Sequence, residues 1–277
     1  MLKSVSAWAL RDNESRPAES LFSEVRQHGF GAIELAIGQK GLVTPESTQA
    51  DCRKLVKTAR AHGLEVSSLA SGLGWQFPLS ADDAAVRSKG VQMVERSLQA
   101  AAWLGVKALL VVPGYLAPLG GDPRVHVPYE VALDRIRDGI RQLVPTAERV
   151  GVTLGIENVW NRVLLSPLEM RDFIDSFGSE RVGSYLDVGN MILFGYAEDW
   201  VRILGPRICC VHFKDFKRSV GTLDGFCDLL EGDVNYPAVM AELRRLDYDG
   251  PCVGEFFGLD GAALDKLSGA MDKVLAM

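Results

Sequence analysis

Five short apolar runs each end in a side chain that can bind a metal ion or move a proton: Glu34 in AIELAI, Glu157 in GIENVW, Asp187 in YLDVGNM, His212 in VHFKDF and Glu255 in VGEFF. Burying one ionised carboxylate is costly, and burying several side by side is worse because they repel. A divalent cation removes that repulsion. One imidazole with three carboxylates, here Glu157, Asp187, His212 and Glu255, suits a single Mn2+, Mg2+ or Co2+ and leaves room for substrate oxygens. Mn2+ is the expected ion. Taken singly, each residue reads equally well as a buried ion pair or hydrogen-bonded group. The case for one metal centre is that all four fall at the same point of four consecutive strands. Glu34 stands apart, as a substrate contact or a structural pair.

The elements that carry these residues follow a repeating form: a helical pattern, a glycine, then a short apolar run. Examples are HGFGAIELAI at Gly29, HGLEVSSLAS at Gly63, LGVKALLVVPG at Gly105, VGVTLGIENV at Gly151 and DGPCVGEFF at Gly250. Glycine is the usual residue just past a helix, where left-handed backbone carries no Cβ penalty. The runs lack strict alternation, as in parallel strands buried on both faces. Leu133, Ile136, Ile140, Leu143 and Ala147 recur at helical spacing, and so do Val91, Val94, Leu98 and Ala101. Each set is one apolar stripe of a helix packed on a sheet. Ser166-Pro167-Leu168-Glu169 reads as a capping box, and Thr44-Pro45 as a second helix start.

Strands are predicted at 3–8, 32–37, 65–71, 108–113, 153–158, 183–188, 208–213 and 252–256. Helices are predicted at 18–28, 46–62, 82–104, 129–149, 167–176, 198–204, 236–246 and 260–275. Eight of each in alternation give an α/β fold, a (β/α)8 TIM barrel forming a single domain over residues 1–277. An open doubly wound sheet is the competitor, but no strand leads into a GxGxxG turn or a P-loop. In such a barrel the chemistry sits at the C-terminal strand ends.

Side chains alternate along a strand. If His212 faces into the barrel, Cys210 and Lys214 share its face, while Cys209, Val211 and Phe213 face the helices. The adjacent cysteines then read as packing. Beyond them, KDFKRSVGTLDG carries Lys214, Lys217 and Arg218, either a solvated loop or a cationic clamp for a phosphate or sugar hydroxyls, with Arg162 as a further contributor. Trp8 and Trp75 follow the first and third strands, where aromatics pack against a sugar face or simply fill the core. His28 and His62 end helices and His126 lies in a loop; none is given a catalytic role.

A net charge of -6 and a pI near 5.3 argue against a nucleic-acid partner. No apolar run approaches a membrane span, and the N-terminal residues do not read as a signal peptide. Five cysteines with no CxxC spacing read as reduced thiols, so the expected compartment is the cytoplasm.

GIENVW, YLDVGN, VHFKDF and GEFF, in this order and spacing, resemble the sugar phosphate isomerase/epimerase superfamily of xylose-isomerase-like barrels, over essentially the whole chain. The resemblance is to the 3-epimerase branch, which acts on pentulose phosphates or free ketoses. It implies that Glu157, Asp187, His212 and Glu255 bind one divalent metal and that Glu157 and Glu255 are the acid/base pair inverting C3. It also implies a sugar or sugar phosphate substrate and a homodimer or homotetramer. Free-ketose members typically carry histidine where this chain has Asn190. The phosphate enzymes are similar to this chain there, which makes Asn190 a substrate-binding candidate and tilts the expectation toward a phosphorylated substrate. Aldose–ketose isomerases share these parts. So do lyases of the inosose dehydratase type, whose His-x-Lys-Asp motif HFKD matches. The related AP endonucleases use three zinc ions and several histidines, which four histidines and an acidic chain do not supply.

Overall fold

Gly105 and Gly151 adopt left-handed backbone, with φ of 77° and 71°, and turn the chain from the third and fourth helices directly into strands. A computed structural model describes all residues except Leu119 and Pro123. Its strands are β1 (Leu2–Ser6), β2 (Ala32–Ile37), β3 (Glu65–Ser71), β4 (Ala108–Val111), β5 (Thr153–Glu157), β6 (Val182–Asp187), β7 (Ile208–Phe213), β8 (Asp215–Phe216), β9 (Phe226–Cys227) and β10 (Pro251–Gly254). The helices are α1 (Ala18–Gln27), α2 (Gln49–Ala61), α3 (Ala84–Leu104), α4 (Tyr129–Val150), α5 (Pro167–Asp175), α6 (Ala197–Leu204), α7 (Tyr236–Arg245) and α8 (Gly261–Ala276). Eight parallel strands close in the order β1-β10-β7-β6-β5-β4-β3-β2, the predicted (β/α)8 barrel.

Two apolar layers hold it. The outer layer lies between sheet and helices and includes the predicted stripe Ile136, Ile140, Leu143 and Ala147, all fully buried. Each such Ile or Leu contributes roughly 1.5–3 kcal/mol through burial. The inner layer is smaller and contains Ala70, Leu110, Tyr185, Cys210 and Val253. No helix among the described residues is long and apolar enough to cross a membrane, and none of the five cysteines is disulfide-bonded.

Three expectations are corrected. The second helix begins later than predicted: Thr48, not Thr44, is its cap, in a reciprocal capping box with Asp51. Thr44 and Ser47 instead form a turn whose side chains bond the local backbone. The loop after β7 contains the antiparallel pair β8–β9, too short to leave a periodic signal. Cys209 does not face the helices. The register shifts between Ser184 and Tyr185, so that Ser184 pairs with Ile208 and Tyr185 with Cys210. The unpaired Cys209 packs against the inner layer, its Sγ 3.3 Å from the Ser184 carbonyl. Strict alternation fails at such a bulge.

Gly155 makes room for this arrangement. A Cβ there would meet Cys209 Sγ at 2.8 Å and Tyr185 Cδ2 at 2.9 Å. Gly155→Ala is expected to cost about 1–3 kcal/mol through overpacking, which lowers the thermal midpoint by several degrees in a protein of this size. An unchanged midpoint in a melting experiment would contradict this packing.

Candidate metal centre

The barrel brings the four predicted ligands together. Glu157 and Asp187 are the last residues of β5 and β6, and His212 pairs with Asp187 across the β6–β7 ladder. Glu255 follows β10 directly, and its N–H bonds to the Phe213 carbonyl at 3.2 Å. One ligand atom from each lies within 4.8 Å of the others, and all four side chains are buried.

The details fit a cation. His212 turns Nε2 toward Glu34, 3.1 and 3.2 Å from its two carboxylate oxygens, and so presents Nδ1 to the centre. Nδ1 is 3.0 Å from Glu255 Oε2 and 3.9 Å from Glu157 Oε1. Asp187 accepts the Gly189 and Asn190 N–H groups on Oδ1, at 2.8 and 2.9 Å, which leaves Oδ2 for the centre. Among the described residues, five buried side-chain polar atoms have no hydrogen-bond partner, and three of them are Asp187 Oδ2, His212 Nδ1 and Glu255 Oε2. Buried orphans are costly. Their convergence on one point is what a divalent cation would satisfy.

A second tier fixes the first, as metal ligands generally require. Glu34 is held by the hydroxyls of Tyr185 and Ser68, the latter at 3.0 Å. The Tyr185 ring also packs edge-on against His212. Asn158 clamps the Asp187 backbone in both directions, at 2.9 and 2.8 Å. Asn190 donates to the Asn158 carbonyl at 3.0 Å and reaches Glu157 Oε1 at 3.5 Å. Tyr185 and Asn158 were not among the predicted site residues. Tyr185 lies two positions before Asp187 on the same strand face, so alternation contained the signal; Ser68 carried none.

Lys214 is buried with its ammonium 2.7 Å from Glu255 Oε2 and 3.1 Å from Asp187 Oδ2, at ion-pair distance but off the hydrogen-bonding direction. Burial would push Glu255 up, but Lys214 and His212 together hold it far below the usual carboxylate range. Burial, reinforced by the neighbouring Glu255, raises Glu157 well above that range. Burial also raises Asp187 against the pull of Lys214. Burial alone would depress His212, yet Glu34 and Glu255 outweigh it and keep the imidazole well above its ordinary value. Lys214 thus brings a positive charge against Asp187 and Glu255.

Above the centre lies a cavity of about 690 Å³, reached by Glu157, Asn190, Lys214 and Glu255 and walled by aromatics that include Trp8 and Trp75. Trp75 stacks on Tyr115 at 5.9 Å. Four predicted substrate residues lie off this wall. Glu34 is fully buried beneath His212, occupied by that ring. Arg162 is exposed and opens onto an adjoining cavity of about 440 Å³ on the far side of Trp160 and Asn190. Lys217 is exposed. The Arg218 guanidinium donates to the Gly195 carbonyl at 2.7 Å and lies over Tyr196 at 4.6 Å. Neither loop cation, Lys217 nor Arg218, lines the cavity over the centre.

A family model described as a xylose isomerase-like TIM barrel matches residues 22–273. L-ribulose-5-phosphate 3-epimerase UlaE of Salmonella paratyphi C (strain RKS4594) is 25% identical over 236 residues, 83% of this chain and 78% of that protein. A D-psicose 3-epimerase crystallised in the presence of D-fructose superposes with a TM-score of 0.80 at 21% identity, covering 100% of both chains. An L-ribulose 3-epimerase gives a TM-score of 0.80 at 21% identity, over 100% of this chain and 95% of that one. At these identities the structural likenesses show the shared fold.

Two outcomes are expected. Glu34→Gln weakens Mn2+ binding by roughly 10–100-fold, the usual cost of losing such an orienting partner, as read by calorimetric titration; wild-type affinity would contradict the role of Glu34. Mn2+ binding is expected to release protons, because the raised His212 and Glu157 must give them up, and affinity is expected to fall as pH falls. Titration in two buffers of different ionisation enthalpy measures the release; a buffer-independent heat would contradict it.

Proposed function

The chain belongs to the xylose isomerase-like TIM barrel family, and from that premise we propose that it is a divalent-metal-dependent epimerase that inverts C3 of a ketose. The observation that carries the proposal is the convergence of ligand atoms that lack hydrogen bonds at the floor of a cavity into which two glutamates project. The 3-epimerase names of its relatives support it. Mn2+ is the ion proposed, with Mg2+ or Co2+ as substitutes, held by Glu157, Asp187, His212 and Glu255. Bound there, it supplies Lewis acidity where negative charge develops on the substrate oxygens.

The chain's own residues do the rest. Glu157 and Glu255 reach the centre from strands separated by β6 and β7 and so flank one carbon from two sides. One takes the C3 proton, and the electron pair left behind delocalises into the neighbouring carbonyl. The other delivers a proton to the opposite face, and the configuration at C3 inverts. Asn190 steadies Glu157, and Lys214 keeps Glu255 ionised. Trp8 and Trp75 form part of the cavity wall, where they would pack against the sugar. The proposed partner is a small sugar, with no nucleic acid or membrane, acted on in the cytoplasm by a homodimer or homotetramer.

A lyase reading draws on Lys214, whose buried ammonium is placed to donate a proton to a departing hydroxyl. Incubation with Mn2+ in D2O across pentuloses, hexuloses and their phosphates separates the readings. Deuterium at C3 is the predicted result; deuterium at C1 or C2 would mean an isomerase, and loss of water a lyase. Glu157→Gln and Glu255→Gln are each expected to slow C3 exchange by roughly 10²–10⁴-fold. Near-normal exchange in either variant would contradict the acid/base assignment.

A further inference from the structure

Resting on the epimerase reading of the same site, we infer that Lys214 is a further catalytic residue. Its ammonium donates a hydrogen bond to the C2 carbonyl oxygen of the ketose and stabilises the negative charge that grows there when C3 loses its proton. Lys214 directly follows β7 and is only 8% exposed. An ammonium carries three N–H donors and no acceptor. Two carboxylate oxygens lie beside it, Glu255 Oε2 at 2.7 Å and Asp187 Oδ2 at 3.1 Å, and neither lies on the hydrogen-bonding direction. The Phe226 and Phe257 rings lie 5.2 and 5.8 Å from it. Such rings attract a cation but offer it no oxygen. Even with one N–H given to each carboxylate, a third is left over on a side chain that lines the cavity. The side chain is also held in place. The Tyr236 hydroxyl donates to the Lys214 carbonyl at 2.9 Å. Gly189, just after β6, packs so closely that a Cβ there would meet Lys214 Cβ at 2.9 Å. A donor fixed before the reaction stabilises developing charge without reorganising.

The chemistry identifies the oxygen. When one glutamate takes the C3 proton, the electron pair of the C–H bond forms the C2–C3 double bond, and the carbonyl π pair moves onto the C2 oxygen. Proton delivery by the other glutamate reverses the shift. Lys214 keeps its own proton throughout. No other substrate oxygen changes charge, so a donor at the C2 oxygen is the one that binds the transition state more tightly than the ketose. That oxygen is two bonds from C3, under about 2.8 Å away. An ammonium in contact with Glu255, which flanks C3, is within reach of it.

The test uses Mn2+-loaded protein and glycolohydroxamate, a planar mimic of an enediolate, titrated calorimetrically. Lys214→Met is expected to weaken the hydroxamate by about tenfold or more without weakening Mn2+ binding. Lys214→Arg, which keeps a cationic donor, is expected to bind it within about fivefold of wild type. With the ketose that wild type exchanges fastest, Lys214→Met should lower kcat for C3 deuterium exchange by roughly 10²–10³-fold and leave KM within about threefold, since the contact strengthens only in the transition state. A crystal structure of the wild-type hydroxamate complex needs no variant to fold. Lys214 Nζ is expected within about 3.2 Å of the hydroxamate carbonyl oxygen, which stands in for the C2 oxygen. Wild-type hydroxamate affinity in Lys214→Met, no hydroxamate binding to wild type, or Nζ turned away from the hydroxamate would each overturn the inference. The exchange data keep the two readings separate. The expected hydroxamate results with deuterium at C1 or C2 sink the epimerase reaction alone, whereas C3 exchange unslowed in Lys214→Met sinks this inference alone.

Discussion

Mutual repulsion among buried carboxylates is the constraint around which the upper barrel is organised. Glu157, Asp187 and Glu255 share one small volume with their ligand atoms within 4.8 Å of each other and of His212. Such a cluster is tolerated only when positive charge is brought to it. The chain brings the Lys214 ammonium and sets the His212 ring against Glu255, yet leaves three ligand atoms without hydrogen bonds. These internal charges do not give the three atoms hydrogen bonds, and a divalent ion would complete the site.

Much of the inner barrel serves that arrangement. Below His212, a stack of Glu34, Tyr185 and Ser68 fixes the ring so that Nδ1 faces upward. Two departures from regular strand pairing accompany it, one at Ile33/Glu34 and one at Ser184/Tyr185. Both place the stack's residues, and Gly155 opens the space that the Tyr185 ring fills. The lower barrel is thus more polar than a simple apolar plug, and Glu34, Tyr185 and Ser68 orient the imidazole.

The eight-fold alternation was legible in the sequence because helix stripes and buried strands leave strong periodic signals. The apolar run at 208–213 coincides with β7 residue for residue. The four clustered residues were legible as candidate ligands because a charge closing an apolar run is costly to bury and stands out on each of four strands. What escaped was what periodicity does not encode. A one-residue bulge turned Cys209 inward. Thr44-Pro45 imitated a cap that Thr48 provides. Glu34 read as a substrate contact or a structural pair, and the sequence could not choose between them because its partners come from β3, β6 and β7, far away in the chain. The loop cations Lys217 and Arg218 read as a solvated loop or a clamp; Lys217 is exposed, and Arg218 is held by the Gly195 carbonyl and the Tyr196 ring, contacts that adjacency in the chain does not encode.

The central claim is that one cation is shared by four strands. The most direct measurement is an anomalous difference map, collected at the manganese edge from crystals grown with Mn2+. The account predicts a single strong peak among Glu157, Asp187 Oδ2, His212 Nδ1 and Glu255, with His212 Nε2 still on Glu34. No peak there, or a peak with His212 or Asp187 rotated away from it, would contradict the account.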